Sequence, residues 1–378
     1  MANQLLRTKS IDKLLAEAAD PEHRLRKSLG PWSLTALGIG AIIGTGIFIL
    51  TGTAAAGEEL YVHSIWKAPV LDLLLHGTSA MGTAGRPGAG PGIALSFLLV
   101  ALVCALAGLC YAEFASMIPI AGSAYTYAYA TLGEIIAWII GWDLILEYAV
   151  SNMAVAVGFS AYLDSLLKSF GIHLPRQFME PMFVSGMRTE SYFNLPGFLI
   201  VMMITVILVL GIRESAGANN FMVTVKIIAI LVFLFAAAPR IEVSNWKPFM
   251  PNGWQGVLTG GAIVFFTYIG FDSVSTAAEE CRQPQRDVPF GIIASLIVCA
   301  TLYVSVAIVL TGIQHWQTLR NAAPVANALQ ALGLPRIQRW VTLGALTGMI
   351  SSLLVFQLGQ ARVWFAMSRD GLLPRAFS

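Results

Sequence analysis

Gly38-Ile39-Gly40-Ala41-Ile42-Ile43-Gly44-Thr45-Gly46-Ile47-Phe48 lies inside the first long apolar run of the chain. Four glycines fall between positions 38 and 46, and each weakens a helix by about 1 kcal/mol against alanine. The pattern predicts a spanning helix that breaks part-way across. A second run of this kind reads Gly260-Gly261-Ala262-Ile263-Val264-Phe265-Phe266-Thr267-Tyr268-Ile269-Gly270-Phe271-Asp272, with glycine and an acid where a span should be apolar.

The rest of the chain makes lipid the surroundings of both runs. Of the 378 residues 56% are hydrophobic and 12% charged, against about 25% charged in soluble domains. A surface so poor in charge needs a bilayer as its outer solvent. A helix needs about 20 mostly apolar residues to cross, and eight runs qualify, near 33–56, 93–118, 135–167, 195–212, 221–238, 256–278, 288–312 and 340–366. An all-α integral membrane protein of about eight spans is therefore expected. The cluster Arg7, Lys9, Lys13, Arg24, Arg26 and Lys27 before the first span puts residues 1–32 in the cytoplasm, and an even number of spans returns the chain there.

The two glycine-interrupted spans are five helices apart. That is the pattern of two five-helix repeats of opposite orientation, here 33–238 and a partial second repeat of three helices, 239–378. The 2–3 connection, Gly122-Ser123-Ala124-Tyr125-Thr126-Tyr127, and the 7–8 connection, Asn321 to Leu332, are short amphipathic stretches at matching places on opposite sides. Residues 58–92 read as an external insertion between the first two helices. Its end, Gly82 to Gly92, is loop-like, and Ile65 to Leu75 is too short to span.

Unwound backbone inside a membrane is costly unless it lines a cavity, where its freed N–H and C=O groups become ligands. Amides around Gly44, Thr45 and Gly46, at the start of a half-helix, suit an anion such as an α-carboxylate. Carbonyls near Ile42, Ile43 and from Phe265 through Tyr268 to Ile269 suit an α-ammonium. The competing reading is that the glycines serve close helix packing.

Four side chains add to the site. Lys226 lies within the fifth span, where an ionisable group marks function by default. It could exchange a proton during a cycle, or snorkel from about 7–10 Å inside the span's start. Glu147, one turn beyond Asp143, lies roughly 18 Å into the third span, too deep for a short acid to snorkel. It could hold a substrate cation, pair with Lys226 or relay a proton. Asp272 either caps the second half-helix or touches substrate. Phe266 is one of several aromatics able to close over a ligand. Glu113, Glu279, Glu280, Arg282, Arg286 and Asp287 are interfacial charges or a gate network.

Other chemistry is not supported. A net charge of +2 gives no field for nucleic acid. There is no G-x-G-x-x-G after a strand, no P-loop and no zinc spacing, so neither an enzyme nor a cofactor is indicated. Cys104, Cys110, Cys281 and Cys299 read as packing residues. A channel would need a polar stripe along several helices, which the sparse charges do not supply.

The first-helix run resembles that of the amino acid–polyamine–organocation superfamily. Cys110-Tyr111-Ala112-Glu113-Phe114, Gly122-Ser123-Ala124-Tyr125, Gly141-Trp142-Asp143-Leu144-Ile145-Leu146-Glu147-Tyr148, Phe271-Asp272 and Ala366-Met367-Ser368-Arg369-Asp370-Gly371 are similar to its cationic amino acid transporter branch. The resemblance covers residues 27–57 and 93–378. It implies a LeuT-like inverted-repeat fold with helices 1 and 6 broken, and amino acid transport across the plasma (inner) membrane by proton coupling or exchange. It implies substrate binding by Ile43, Gly44, Thr45 and Gly46, an aromatic gate at Phe266, a fifth-helix lysine at Lys226 and a branch-typical acid at Glu147. The insertion departs from the family pattern. The chain ends after the eighth span, so the ninth and tenth core helices lie outside it and the second repeat is incomplete. A truncated, non-transporting sensor or assembly partner is the alternative.

Overall fold

The computed structural model describes residues 7–10, 27, 29–62, 82–120, 122–184, 187–209, 216–374 and 376. Almost all of them are helical. The first span is α1 (Pro31–Ile42), a wide helical turn over Gly46–Leu50, and α2 (Thr51–Ala56), bent by 43° at the break. Spans two and three are α3 (Ile93–Met117) and α5 (Glu134–Ser169), with the short α4 (Ala124–Thr131) between them. Next come α6 (Leu195–Val209) and α7 (Ala216–Ala237). The sixth span is α8 (Gly253–Phe265), a tight turn over Phe266–Tyr268, and the single-turn α9 (Ser273–Thr276). Helices α10 (Pro284–Ile313), α11 (Pro324–Ala331) and α12 (Pro335–Arg369) complete the described chain.

Six of these spans are long and apolar enough to cross a membrane, and the bent first pair makes a seventh. The run expected at 195–212 forms a 15-residue helix, about 22 Å long, with residues 210–215 outside the described residues. Helix α3 carries large apolar side chains outward, Leu98, Leu102, Val103, Leu106 and Leu109 among them, as a helix in hydrocarbon must. The polar residues turn inward instead: Thr45, Asn219, Lys226, Asp272 and Ser352 are all buried.

The insertion corrects one expectation. Gly82–Pro87 is not a free loop but strand β2, paired antiparallel with β1 (Gly57–Val62) from Gly57↔Pro87 to Val62↔Gly82. Both members of a two-stranded ribbon are edges, where glycine and proline are tolerated. The apolar stretch Ile65 to Leu75 lies outside the described residues. The ribbon's base is wedged between α2 and the start of α8. A Cβ at Gly88 would run into the backbone of Ala55, Ala56 and Gly57, and Asn252 Nδ2 donates to the Gly88 carbonyl at 2.8 Å.

The short helices predicted from the 2–3 and 7–8 connections are α4 and α11. They sit at opposite ends of the bundle: α4 receives the N-terminal segment through Lys9 N–H to Tyr129 O at 3.2 Å, and α11 faces the open end described below.

Glycine does its steric work where the broken spans meet. A Cβ on Gly46 would lie 2.5 Å from Thr267 Cβ, and one on Gly270, at φ +112°, would lie 2.8 Å from Ala41 Cβ. The two breaks therefore touch at two levels. Gly46→Ala is expected to destabilise the protein by about 1–3 kcal/mol through overpacking, read as a fall in melting temperature in detergent. Gly261→Ala is the control, because its added methyl meets nothing closer than Val100 Cγ2 at 3.8 Å and should leave the transition in place or raise it.

Candidate functional site

Helix α1 stops because Ile43 leaves the helical region (φ −82°, ψ 90°). Its last carbonyls then lack the amides of a following turn. They are met from three other helices. Lys226 Nζ on α7 donates to Gly40 O at 2.8 Å and Ile43 O at 2.9 Å. The Ser352 hydroxyl on α12 lies 2.9 and 3.1 Å from the same two carbonyls. The Tyr303 hydroxyl on α10 lies 2.8 Å from Ile42 O and 2.9 Å from Thr267 O, so one hydroxyl sits between both breaks. Ile42 O also accepts the Gly44 amide at 3.0 Å.

These bonds settle where Lys226 points. Its side chain is fully buried and does not snorkel. They also occupy the carbonyls of Ile42 and Ile43, which are therefore not free for an ammonium. Tyr303 and Ser352 were not singled out from the sequence. Each is a lone hydroxyl in an apolar span, a signal too common to stand out.

The second break has its own polar tie. Asp272 is 4% exposed and accepts from Tyr148 OH at 2.5 Å and Ser123 Oγ at 3.3 Å. Its side chain makes no cap to α9, so its partners come from α5 and the 2–3 connection instead. Ser123 sits at φ +54°, an uncommon conformation for a residue with a side chain, just ahead of α4. Glu147 is half-buried with Asp143 and Asp272 as its electrostatic neighbours. No ion pair joins it to Lys226 among the described residues.

A cavity of about 1140 Å³ runs from the breaks to one face. Its closed end is formed by Thr45 and Ile49 of the first span, Ala154, Val157 and Gly158 of α5, and Ala262, Ile263 and Phe266 of the sixth. Its mouth, about 15 Å further along α5 from Gly158 to Lys168, carries Arg86, Asp164, Lys168, Glu180 and Arg320. Thr45 and Phe266 thus line the cavity. Phe265 is 46% exposed and does not, and Tyr268 is buried behind it, donating to Phe97 O at 3.1 Å.

The opposite face is shut. Lys9 Nζ pairs with Asp370 Oδ1 at 2.7 Å, and Tyr125 OH donates to Asp370 Oδ2 at 2.7 Å. Arg362 pairs with Glu280, and the backbone of Leu29 bonds to Glu280 and Arg282. Of the charges read as a possible gate network, Glu280 therefore takes part. Arg362 and Lys9 join it from α12 and the N-terminal segment, and nothing in the sequence links either to this face's acids. Cys281 is completely buried in this seal, and burial pushes its thiol up from the ordinary range.

A chamber open to one face, closed on the other and floored by two opposed helix breaks is the architecture of a carrier. Residues 29–378 match the family described as Amino acid permease. The chain belongs to that family. This permease is 47% identical over 380 residues to the branched-chain amino acid permease BcaP of Bacillus subtilis (strain 168), covering 100% of this chain and 74% of that protein. It is 42% identical over 376 residues to the methylthioribose transporter of the same organism, with 100% and 74% covered. It is 36% identical over 358 residues to cationic amino acid transporter 9, chloroplastic, of Arabidopsis thaliana, covering 94% of this chain and 57% of that one.

The permease's shut face offers a direct probe. Thiolate is the reactive form of cysteine, so a buried thiol held protonated reacts slowly. In a Cys110→Ser background, Asp370→Asn removes the charge that Lys9 pairs with. Labelling of Cys281 by a maleimide applied to the N-terminal face is then expected to quicken by at least about fivefold, as the closed population falls. An unchanged rate would mean that the Lys9–Asp370 pair does not hold this face shut.

Proposed function

We propose that the chain is a secondary carrier of amino acids that exposes one site alternately to the two sides of the plasma (inner) membrane. Its N-terminal face is cytoplasmic in this reading, and the cavity opens outward. The observation that carries it is the cavity's closed end, which stops at the paired breaks between Thr45 and Phe266. The unpaired amides at Thr45, Gly46 and the start of the outer half-helix would take the α-carboxylate. The α-ammonium would go to carbonyls of the sixth-span break, those of Phe266, Tyr268 and Ile269, because those of Ile42, Ile43 and Thr267 already hold Tyr303, Lys226 and Ser352. Phe266 would close over the bound substrate. The permease family match favours this over a non-transporting sensor.

Two five-helix repeats of opposite orientation, 33–238 and the partial 239–378, account for the breaks and for α4 and α11 lying at opposite ends. Coupling would run through Lys226 and Glu147. As an ammonium, Lys226 ties α1 to α7 by two charge-assisted bonds. Loss of its proton removes the charge and one donor, and the inner half of the first span is released. Glu147, beside Asp272 and close to the inner seal, would answer that step by taking up or releasing a proton.

In proteoliposomes, an inward-directed proton gradient is expected to speed uptake of labelled amino acid. Lys226→Ala should abolish that stimulation while leaving substrate exchange measurable. Glu147→Gln should shift the pH dependence of uptake. Equal stimulation in Lys226→Ala and the unaltered protein would end the coupling role.

A further inference from the structure

We infer that the carried amino acid has an uncharged, apolar side chain, selected at the closed end of the cavity and not at its mouth. The inference rests on the carrier reading above and specifies its substrate.

The charged groups of the cavity are all near its mouth: Arg86, Lys168 and Arg320 beside Asp164 and Glu180. Both signs are present, and Asp164 is engaged by Lys168 at 2.5 Å. A mouth of mixed sign admits cationic and neutral zwitterions alike, so it cannot do the sorting. At the closed end Ile49, Ala154, Val157, Ala262, Ile263 and Phe266 surround Thr45 and Gly158, and none of them bears a charge.

The inner acids do not reach this space. Asp272 is 4% exposed, turned to Tyr148 and Ser123, and absent from the lining. Glu147 lies seven residues before Ala154, about 10 Å toward the shut face. A lysine or arginine side chain seated here would lose its water with no counter-charge to replace it. An aliphatic side chain would exchange water for Val157, Ile263 and the Phe266 ring.

Size is set by the same surface. Gly158 packs directly on Thr45 and Ile49, which holds α5 close to the first span. Ala154, one turn nearer the shut face, is partly exposed to the cavity. It therefore acts as a specificity-determining residue, because a longer side chain there would fill the space that a branched substrate occupies.

The test is competition against labelled leucine in counterflow with the chain reconstituted in proteoliposomes. Unlabelled leucine, isoleucine, valine and methionine are expected to compete. Lysine and arginine should be weaker by at least about tenfold, the scale of an unmatched buried group. Because the selection is not made by exposed charges, this ratio should persist when salt is raised to a Debye length of about 3 Å. Ala154→Leu should raise the KM for leucine by about tenfold or more and that for alanine by less than about threefold. Lysine competing as well as leucine, a ratio that collapses in salt, or equal losses for leucine and alanine in Ala154→Leu would each overturn the inference while leaving the carrier reading intact. A chain that takes up no amino acid would overturn both.

Discussion

A helix interrupted at mid-depth leaves carbonyls that neither lipid nor the next turn can satisfy. In this permease the carbonyls of Gly40, Ile42 and Ile43 are met by donors from three separate helices, Lys226 of α7, Ser352 of α12 and Tyr303 of α10. The rest of the architecture depends on that satisfaction. Without it the first span would have to coil continuously, and the break that sets Thr45 against the cavity would be lost. Tyr303 extends the constraint to the sixth span through Thr267 O, so the geometry of one break is transmitted to the other.

Much of this was legible from residue types alone. The glycine run of the first span and the Gly-Phe-Asp of the sixth both mark helix breaks, because glycine disfavours helix and an acid disfavours hydrocarbon. Lys226 announces itself by being charged in an apolar run. The partners of these groups were not legible. Carbonyls are the same at every residue, so no sequence shows which of them Lys226 will reach. Tyr303 and Ser352 are mild polar residues whose role appears only when α10 and α12 lie against α1. Asp272 had been weighed as a cap or a substrate contact, and its partners come instead from Tyr148 and Ser123, far away in the chain. The strand over Gly82–Pro87 is not legible because its glycines and proline read as loop, while pairing with Gly57–Val62 makes it a strand.

The two faces differ in what holds them. The N-terminal face is closed by charged and hydroxyl groups on the N-terminal segment, α4, the region after α9 and the end of α12, with Asp370 meeting both Lys9 and Tyr125. Among the described residues no ion pair crosses the mouth of the cavity: Lys168 and Asp164 pair along one helix. The Lys9–Asp370 pair is largely buried and Arg362–Glu280 partly so, and opening the N-terminal face would have to separate both and return their charges to water.

The Gly88 wedge carries a mechanical corollary. With its backbone flush on Ala55 and Ala56, and its carbonyl held by Asn252, it ties α2 to the start of α8. Strand β2 leads through the five residues 88–92 directly into α3, so any movement of α2 and α8 relative to that helix has to be absorbed there.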